Sequence, residues 1–412
     1  MEICPHNECT GCYACVSACK HDCIKMEEDE LGAIHPYVDD DKCVNCGACR
    51  KVCPNNVSLD FKYPTACYAS WITDKEKRRI CASGGIGTTM SEYVIRNGGV
   101  VFGSRYNESL VPIMTYTERL EELEYFKGSR YVQSLVGSDT FIQVKKFLLD
   151  NRQVLFIGTP CQIAGLKSFL KKDYQNLITV DLICHGVCPT KYFTEEVDYL
   201  AKIYKLKNIA DVRFRGNDGN NFRLTLWNKA RRKLFPRNNY REKLLRLSET
   251  QQFYIWGFIL GVTLRENCYS CKYARPERIS DITIGDFIGL GKEVPFNYPK
   301  ANVSSVTINT EKGNTFYKSV SEENDSLINV KRDYKERLEY KPSLVEPFQR
   351  HPLSAKFIEY YEKEGYVMAI RHALKGIIIK RQIKFYLNYL TFIYREPRKL
   401  IKLIISYVEN KK

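Results

Sequence analysis

The sequence predicts three regions in succession: a small α+β domain over residues 1–62, an α/β domain with a mostly parallel sheet over residues 63–335, and a helical, basic C-terminal extension over residues 336–412. Three observations carry this. Ten of the 17 cysteines fall in the first 62 residues, the middle region alternates apolar strand-like runs with amphipathic helix-like runs, and the stretch from Arg371 to the end holds eleven lysines and arginines against two glutamates. The chain of 412 residues also exceeds one ordinary core, because domains run to roughly 100–200 residues.

In the first region Cys9, Cys12, Cys15 and Cys19 follow a CxxCxxCxxxC spacing, and Cys43, Cys46, Cys49 and Cys53 repeat it, with Pro54 next. Thiolates on such tight turns reach three irons of one cubane, and the fourth cysteine of each run ligates the other cluster. This assigns Cys9, Cys12, Cys15 and Cys53 to one 4Fe–4S cluster, and Cys43, Cys46, Cys49 and Cys19 to a second. It is the arrangement of a two-cluster bacterial ferredoxin, so the α+β domain is expected to be ferredoxin-like. Zinc sites use four ligands and paired CxxC motifs, but not two runs of this kind. Lys20 stands where a proline often follows the fourth cysteine. Cys4 and Cys23 are left over, and Cys23 reads as a buried small residue.

Cysteines spaced this way, in a long chain that opens MEICPHNEC without a charged and then apolar leader, point to thiolates in a reducing cytoplasm rather than to disulfides. No run of about 18 uncharged apolar residues suggests a spanning helix.

The middle region offers buried-strand candidates at Val100–Gly103, Val154–Gly158, Ile178–Ile183 and Ile282–Phe287, and helices at Ile86–Asn97, Ser138–Asp150, Gln162–Lys171 and Thr190–Leu206. Alternation of this kind argues for a largely parallel sheet. Cys161 follows one strand at the start of a helix, and Cys184 ends another. Ligands gather outside the carboxyl ends of such strands, so both face one crevice. Cys268 and Cys271 form a CxxC shortly before the last strand. Together the four suffice for a third cubane. The CxxC pair fits a redox disulfide or half a zinc site as well, and Cys188 competes with Cys184.

Ser83, Gly84 and Gly85 make a turn that opens a helix, where free N–H groups and the helix dipole can cradle phosphate. A plain helix cap has the same composition. Gly158, Thr159 and Pro160 form a second such loop. Ser129, in KGSRY, adds a hydroxyl beside a basic residue, and Asp286 closes the last strand on the same face.

The stretches ASGGIGT, KGSRYVQS, LFIGTPCQIAGL, DLICHGVC, CYSC with PERISD, and ITIGDFIG occur in the order of a known family. Over about residues 65–310 the chain resembles the β subunit family of coenzyme F420-reducing hydrogenases and dehydrogenases, to which ferredoxin modules are commonly fused. The resemblance implies an α/β domain holding FAD and a further 4Fe–4S cluster. It supports Cys161, Cys184, Cys268 and Cys271 as ligands of that cluster, and Ser83, Gly84, Gly85 and the GTP loop as flavin contacts. Family members pass electrons to different acceptors, and ferredoxin-fused relatives occur among polysaccharide-synthesis genes.

The expected activity is therefore iron–sulfur, FAD-dependent oxidoreduction. Electrons would run between a ferredoxin or other redox partner, the clusters, the flavin and a small-molecule or lipid-linked saccharide substrate. A non-catalytic electron-relay subunit is the alternative. No catalytic residue is assigned, since His185 beside Cys184 reads as structural. Over residues 373–393, and again over 398–408, basic and apolar residues mix as in amphipathic helices. Docking on the domain's own core is favoured over peripheral contact with the inner face of a membrane. No nucleic-acid-binding signature accompanies the positive charge.

Overall fold

The computed structural model describes residues 1–215, 222–227, 243–247, 251–340 and 342–395. In the first region α1 (Ala14–Ala18) and α2 (Ala48–Lys51) lie on either side, in sequence, of an antiparallel hairpin of β1 (Ile24–Glu28) and β2 (Ile34–Val38). The cysteine repeat is also a backbone repeat. Gly11 and Tyr13 have φ of 63° and 66°, and their counterparts in the second run, Asn45 and Gly47, have 52° and 70°. Left-handed residues set between helical ones turn successive N–H groups into one concavity.

The second region is built on eight strands: β3 (Ala66–Ile72), β4 (Val100–Tyr106), β5 (Pro112–Thr117), β6 (Val154–Gly158), β7 (Leu177–Leu182) and, further on, Ile282–Asp286, Ser304–Ile308 and Leu327–Arg332. Between β7 and the last three lie β8 (Asp211–Arg215), β9 (Phe222–Trp227) and β10 (Lys243–Arg246), which form a separate antiparallel sheet. The last three are therefore β11, β12 and β13, and the large sheet has the order β13-β3-β12-β11-β7-β6-β4-β5. The helices are α3 (Lys75–Ile80), α4 (Ile86–Arg96), α5 (Thr140–Leu149), α6 (Pro160–Leu170), α7 (Thr190–Ile203), α8 (Phe253–Ile259), α9 (Glu311–Glu322), α10 (Tyr334–Leu338) and α11 (Leu353–Arg395).

The sheet is mixed, which corrects the expectation of a mostly parallel one. Only β4, β6, β7 and β11 run parallel side by side. β5 is antiparallel to β4, and β12, β3 and β13 continue antiparallel from β11. The parallel strands are the four that the sequence announces, because a strand covered on both faces reads as an apolar run. Val154, Leu155 and Phe156 are all 0% exposed. The antiparallel strands bury Ser70, Ser304, Ser305 and Thr307, so no apolar run marks them.

Helix α6 starts cleanly for local reasons. Pro160 occupies its first turn, and Gln162 Oε1 accepts the Thr159 N–H at 2.9 Å. Backbone bonds in both directions tie Lys62 to Arg278, and the buried Arg278 guanidinium meets Asp181 at 3.0 Å.

The long helix α11 breaks at Gly365 (φ 73°, ψ 178°). Phe357, Tyr361, Tyr366, Ile370, Leu374 and Ile378 join one apolar cluster with residues of α7 and α8. Arg371 clamps buried Glu196 of α7 through Nη1 at 3.1 Å and Nη2 at 3.2 Å. The extension thus docks on the core as far as Ile378, after which Ile379 and Ile383 are exposed. The basic stretch over 398–408 lies outside the described residues. Among the described residues no helix is long and apolar enough to cross a membrane.

Candidate metal centres

A cavity of about 340 Å³, its open mouth included, is lined by Cys9, Cys12, Cys15 and Cys53, together with Cys4. A backbone N–H faces each of those first four sulfurs, from Gly11, Ala14, Val16 and Asn55 in turn. Burial pushes the Cys12 thiol up to about 11 and raises Cys15 as well. Such thiols stay ionised when a cationic core binds them, and inward N–H groups are what a thiolate-bound cluster needs. The residues therefore fit a cubane.

The second run behaves alike. Cys49 takes the Arg50 N–H, and Cys19 takes those of Cys23 and His21. Burial raises Cys49, and the charges of Cys43 and Cys19 add to the effect. Cys46 is exposed. The two cysteines that the spacing leaves over are both in the sites. Cys4 is within hydrogen-bond reach of Cys9 and Cys53, and Cys23 Sγ lies 3.3 Å from Cys19 Sγ. The cluster spacing has no slot for either, so nothing in the sequence marks them.

In the α/β domain, Cys161 sits in the first turn of α6 and Cys184 just beyond β7. Burial raises Cys268, and the charges of Cys184, Cys271 and Cys161 raise it further, so the four share one neighbourhood. Backbone N–H groups again face the sulfurs: Gly186 to Cys184 at 3.4 Å, Val187 to Cys268, and Tyr273 and Ala274 to Cys271. Thr159 Oγ1 is 3.2 Å from Cys161 Sγ. Cys188 is fully buried in the apolar cluster that also includes Cys268, and its Sγ is 3.2 Å from Thr263 Oγ1.

The two cysteine regions meet on α6. One turn beyond Cys161, a Cβ on Gly165 would stand 2.9 Å from both Cβ and Sγ of Cys12. Ala14 of α1 packs in the same cluster as Ile163, Ala164 and Phe141. Gly165 looks like any small helix residue in the sequence.

The glycine turn is largely self-satisfied. Ser83 Oγ donates to Val303 O at 3.0 Å, Gly84 N–H to Ser304 Oγ at 2.9 Å, and Gly85 N–H to Ala82 O at 3.1 Å. Lys127, two residues before Ser129, is ion-paired with Glu124. Close by, Asp286 joins a polar cluster built around Arg215, which no sequence pattern marks. Arg215, at the end of β8, grips both carboxylate oxygens of Asp286 and donates from Nε to Tyr131 Oη at 2.9 Å. Ser83 also bears on Asp286, and Ser129 on Tyr131. Burial alone would raise Asp286, yet Arg215 holds it below the usual carboxylate range, with a smaller contribution from Arg337. Arg337 is 1% exposed, and its Nε and Nη1 have no hydrogen-bond partner among the described residues. A buried guanidinium with unmet donors fits an anionic group such as a flavin diphosphate.

His185 Nε2 pairs with Phe258 O at 3.1 Å, and its ring packs on Phe258 and Phe348. Its setting is structural. His6, Asp29 and His35 also cluster, with His35 Nε2 3.2 Å and His6 Nε2 3.8 Å from Asp29 Oδ2. The two rings stack 3.7 Å apart at 14°, so their in-plane lone pairs run side by side and do not converge on one metal.

Thiol sites cradled by backbone amides define the class as an iron–sulfur protein. Residues 8–57 match the model of the 4Fe-4S dicluster domain, and residues 151–332 match that of the C terminus of coenzyme F420 hydrogenase/dehydrogenase, beta subunit. The chain thus carries a region similar to the latter family, preceded by a region that matches a 4Fe–4S dicluster domain. Ferredoxin 7Fe of Hydrogenibacillus schlegelii is 46% identical over 41 residues, which make up 10% of this chain and 46% of that protein. The match thus spans about half of that relative's length. A chain in the solved F420-reducing NiFe hydrogenase complex of Methanosarcina barkeri, obtained with xenon derivatization, is 15% identical over 78% of this chain and 94% of its own, at a TM-score of 0.40.

Proposed function

We propose that the protein is an iron–sulfur flavoprotein oxidoreductase divided by task. Residues 1–62 hold two clusters, residues 63–335 hold a third cluster and FAD, and the C-terminal region braces the core as far as Ile378. Cys9, Cys12, Cys15 and Cys53 serve the first cluster, and Cys43, Cys46, Cys49 and Cys19 the second. Cys161, Cys184, Cys268 and Cys271 serve the third. Ser83, Gly84, Gly85, Ser129 and the Gly158–Pro160 loop border the flavin, and Arg337 supplies charge for its phosphates. Clusters carry single electrons, and a flavin joins them to protons for two-electron chemistry.

The observation that carries this reading is the contact of Cys12 with Gly165. It sets the N-terminal thiols one helical turn from Cys161, with Ile163, Ala164 and Phe141 excluding water around the contact. A ferredoxin-type protein is the partner at one end of the route. At the other, a small molecule or a polysaccharide precursor meets the face bearing Arg215 and Asp286. The location is the cytoplasm. The exposed apolar and basic side of α11 beyond Ile378 suits the inner membrane surface beside a lipid-linked saccharide. Flotation with anionic liposomes, lost on deletion of residues 380–412, tests that contact; no flotation by the intact chain ends it.

The second reading, a relay subunit without its own substrate, is favoured by one observation: the N–H groups of Gly84 and Gly85 are already engaged. Anaerobic purification with iron, sulfide and flavin analysis separates the two. About twelve irons and one flavin per chain support the oxidoreductase, and about eight irons without flavin support the relay. Colourless protein holding zinc refutes both.

A further inference from the structure

Arg265 lies where the N-terminal and α/β domains meet, and it is 2% exposed. Its Nη1 donates to Gln133 Oε1 at 2.7 Å, its Nε to Asn267 Oδ1 at 3.1 Å, and its Nη2 to the carbonyls of Cys9 and Ile34, each at 3.1 Å. All four acceptors are neutral. Arg278, equally buried, instead meets a carboxylate, that of Asp181, and half-buried Arg371 meets Glu196. Among the described residues Arg265 has no such ion pair.

A guanidinium does not lose its proton in a protein, and a buried charge without a counter-ion is strongly unfavourable. The anions within its field must therefore be something else. One of its hydrogen bonds ends on the backbone of Cys9, in the first cysteine site. Another ends on Asn267, which adjoins Cys268 in the α/β site. Burial pushes the Cys161 thiol up, and the charge of Arg265 opposes that rise. A cubane with a 2+ core and four thiolates is a dianion, and one-electron reduction makes it a trianion.

We propose that Arg265 is the shared internal counter-ion of the Cys9 site and the Cys268 site, favouring the reduced form of both and clamping the two domains across them. This rests on the cluster assignments above. The second N-terminal site, at Cys43, Cys46, Cys49 and Cys19, receives none of its hydrogen bonds. Net charge near a cluster is one of the levers that set its potential. Because the same fixed cation acts on both sites, one substitution should shift the potentials of both clusters in the same direction.

The test is anaerobic potentiometry of the whole protein followed by electron paramagnetic resonance, with dithionite as reductant. Wild type is compared with Arg265→Gln, which keeps donors but loses the charge, and Arg265→Lys, which keeps the charge. Arg265→Gln is expected to weaken reduction about tenfold at two clusters, a fall of 59 mV for a one-electron couple, and to leave the remaining cluster unmoved. Arg265→Lys is expected to retain most of the wild-type potential. If Arg265→Gln strips iron from two sites while Arg265→Lys keeps it, the charge is likewise required. Unchanged midpoints in Arg265→Gln with full iron overturn the inference, and so does equal loss of iron in both variants, which would show that only the hydrogen-bond fork matters. Wild-type protein lacking iron at the Cys268 site overturns the proposed function and this inference together.

Discussion

Substituting Gly165 by alanine sets two effects of opposite sign against each other. In an ordinary helix interior the change stabilises by about 0.5–1 kcal/mol, because alanine leaves less conformational freedom to lose. At this position the new methyl would stand 2.9 Å from Cβ and Sγ of Cys12. Carbon contacts settle at about 3.5–4.0 Å, so Cys12 or α6 must yield by roughly 0.6–1 Å. Overpacking of that kind costs about 1–3 kcal/mol, which exceeds the helix gain. A metal ligand tolerates displacement of only about 0.2 Å, so the strain falls on the cluster that Cys12 holds. The expected result is a Gly165→Ala protein that is net destabilised and loses iron faster to a chelator, with the second N-terminal cluster unaffected. Urea denaturation and the rate of iron release under argon measure the two effects. A variant as stable as wild type or more so, with wild-type iron release, would refute the claim that α1 is pressed against α6 at this point.

Three further outcomes follow from the same geometry. Cys184→Ser should lower the iron content by about four per chain, whereas Cys188→Ser should leave it unchanged, by iron analysis of anaerobic protein. Arg371→Met should cost about 3–5 kcal/mol at neutral pH by stranding the Glu196 carboxylate, which is 0% exposed. Burial already raises the Glu196 pKa, and Arg371 opposes that rise only in part. A raised carboxyl penalises the fold once it ionises. The loss should therefore be full above the folded pKa, shrink as pH falls through it, and vanish below about 4.3, where Glu196 is protonated in both states, by denaturation curves at a series of pH values. Arg337→Met should abolish flavin retention while leaving the iron count intact, read by cofactor release and absorbance; flavin held at wild-type stoichiometry would contradict its assigned role.

The cysteine runs, the four parallel strands and their helices were legible because each is a local pattern. Two CxxCxxCxxxC spacings state their chemistry without a fold, and Val154, Leu155 and Phe156 announce a strand covered on both faces. Helix α6 declares its own start through Thr159, Pro160 and Gln162. The docking of α11 was half legible: the apolar positions were plain, but nothing short of packing chose between core and membrane. Tertiary structure alone decided the mixed sheet, since β3 and β12 hide buried serines and a threonine that read as loop, and β13 is only partly buried. It alone placed Cys4 beside Cys9 and Cys53 and Cys23 beside Cys19, brought Cys161, Cys184 and Cys271 around Cys268, and spent the Gly84 and Gly85 N–H groups on internal partners. It alone brought Arg215 to Asp286, Arg337 beneath the same face, and Arg265 between two thiol sites. A spacing rule sees ligands that lie on one turn of chain. The charge that balances them, and the glycine that lets Cys12 approach α6, come from segments far apart in sequence, where only the folded packing specifies the distance.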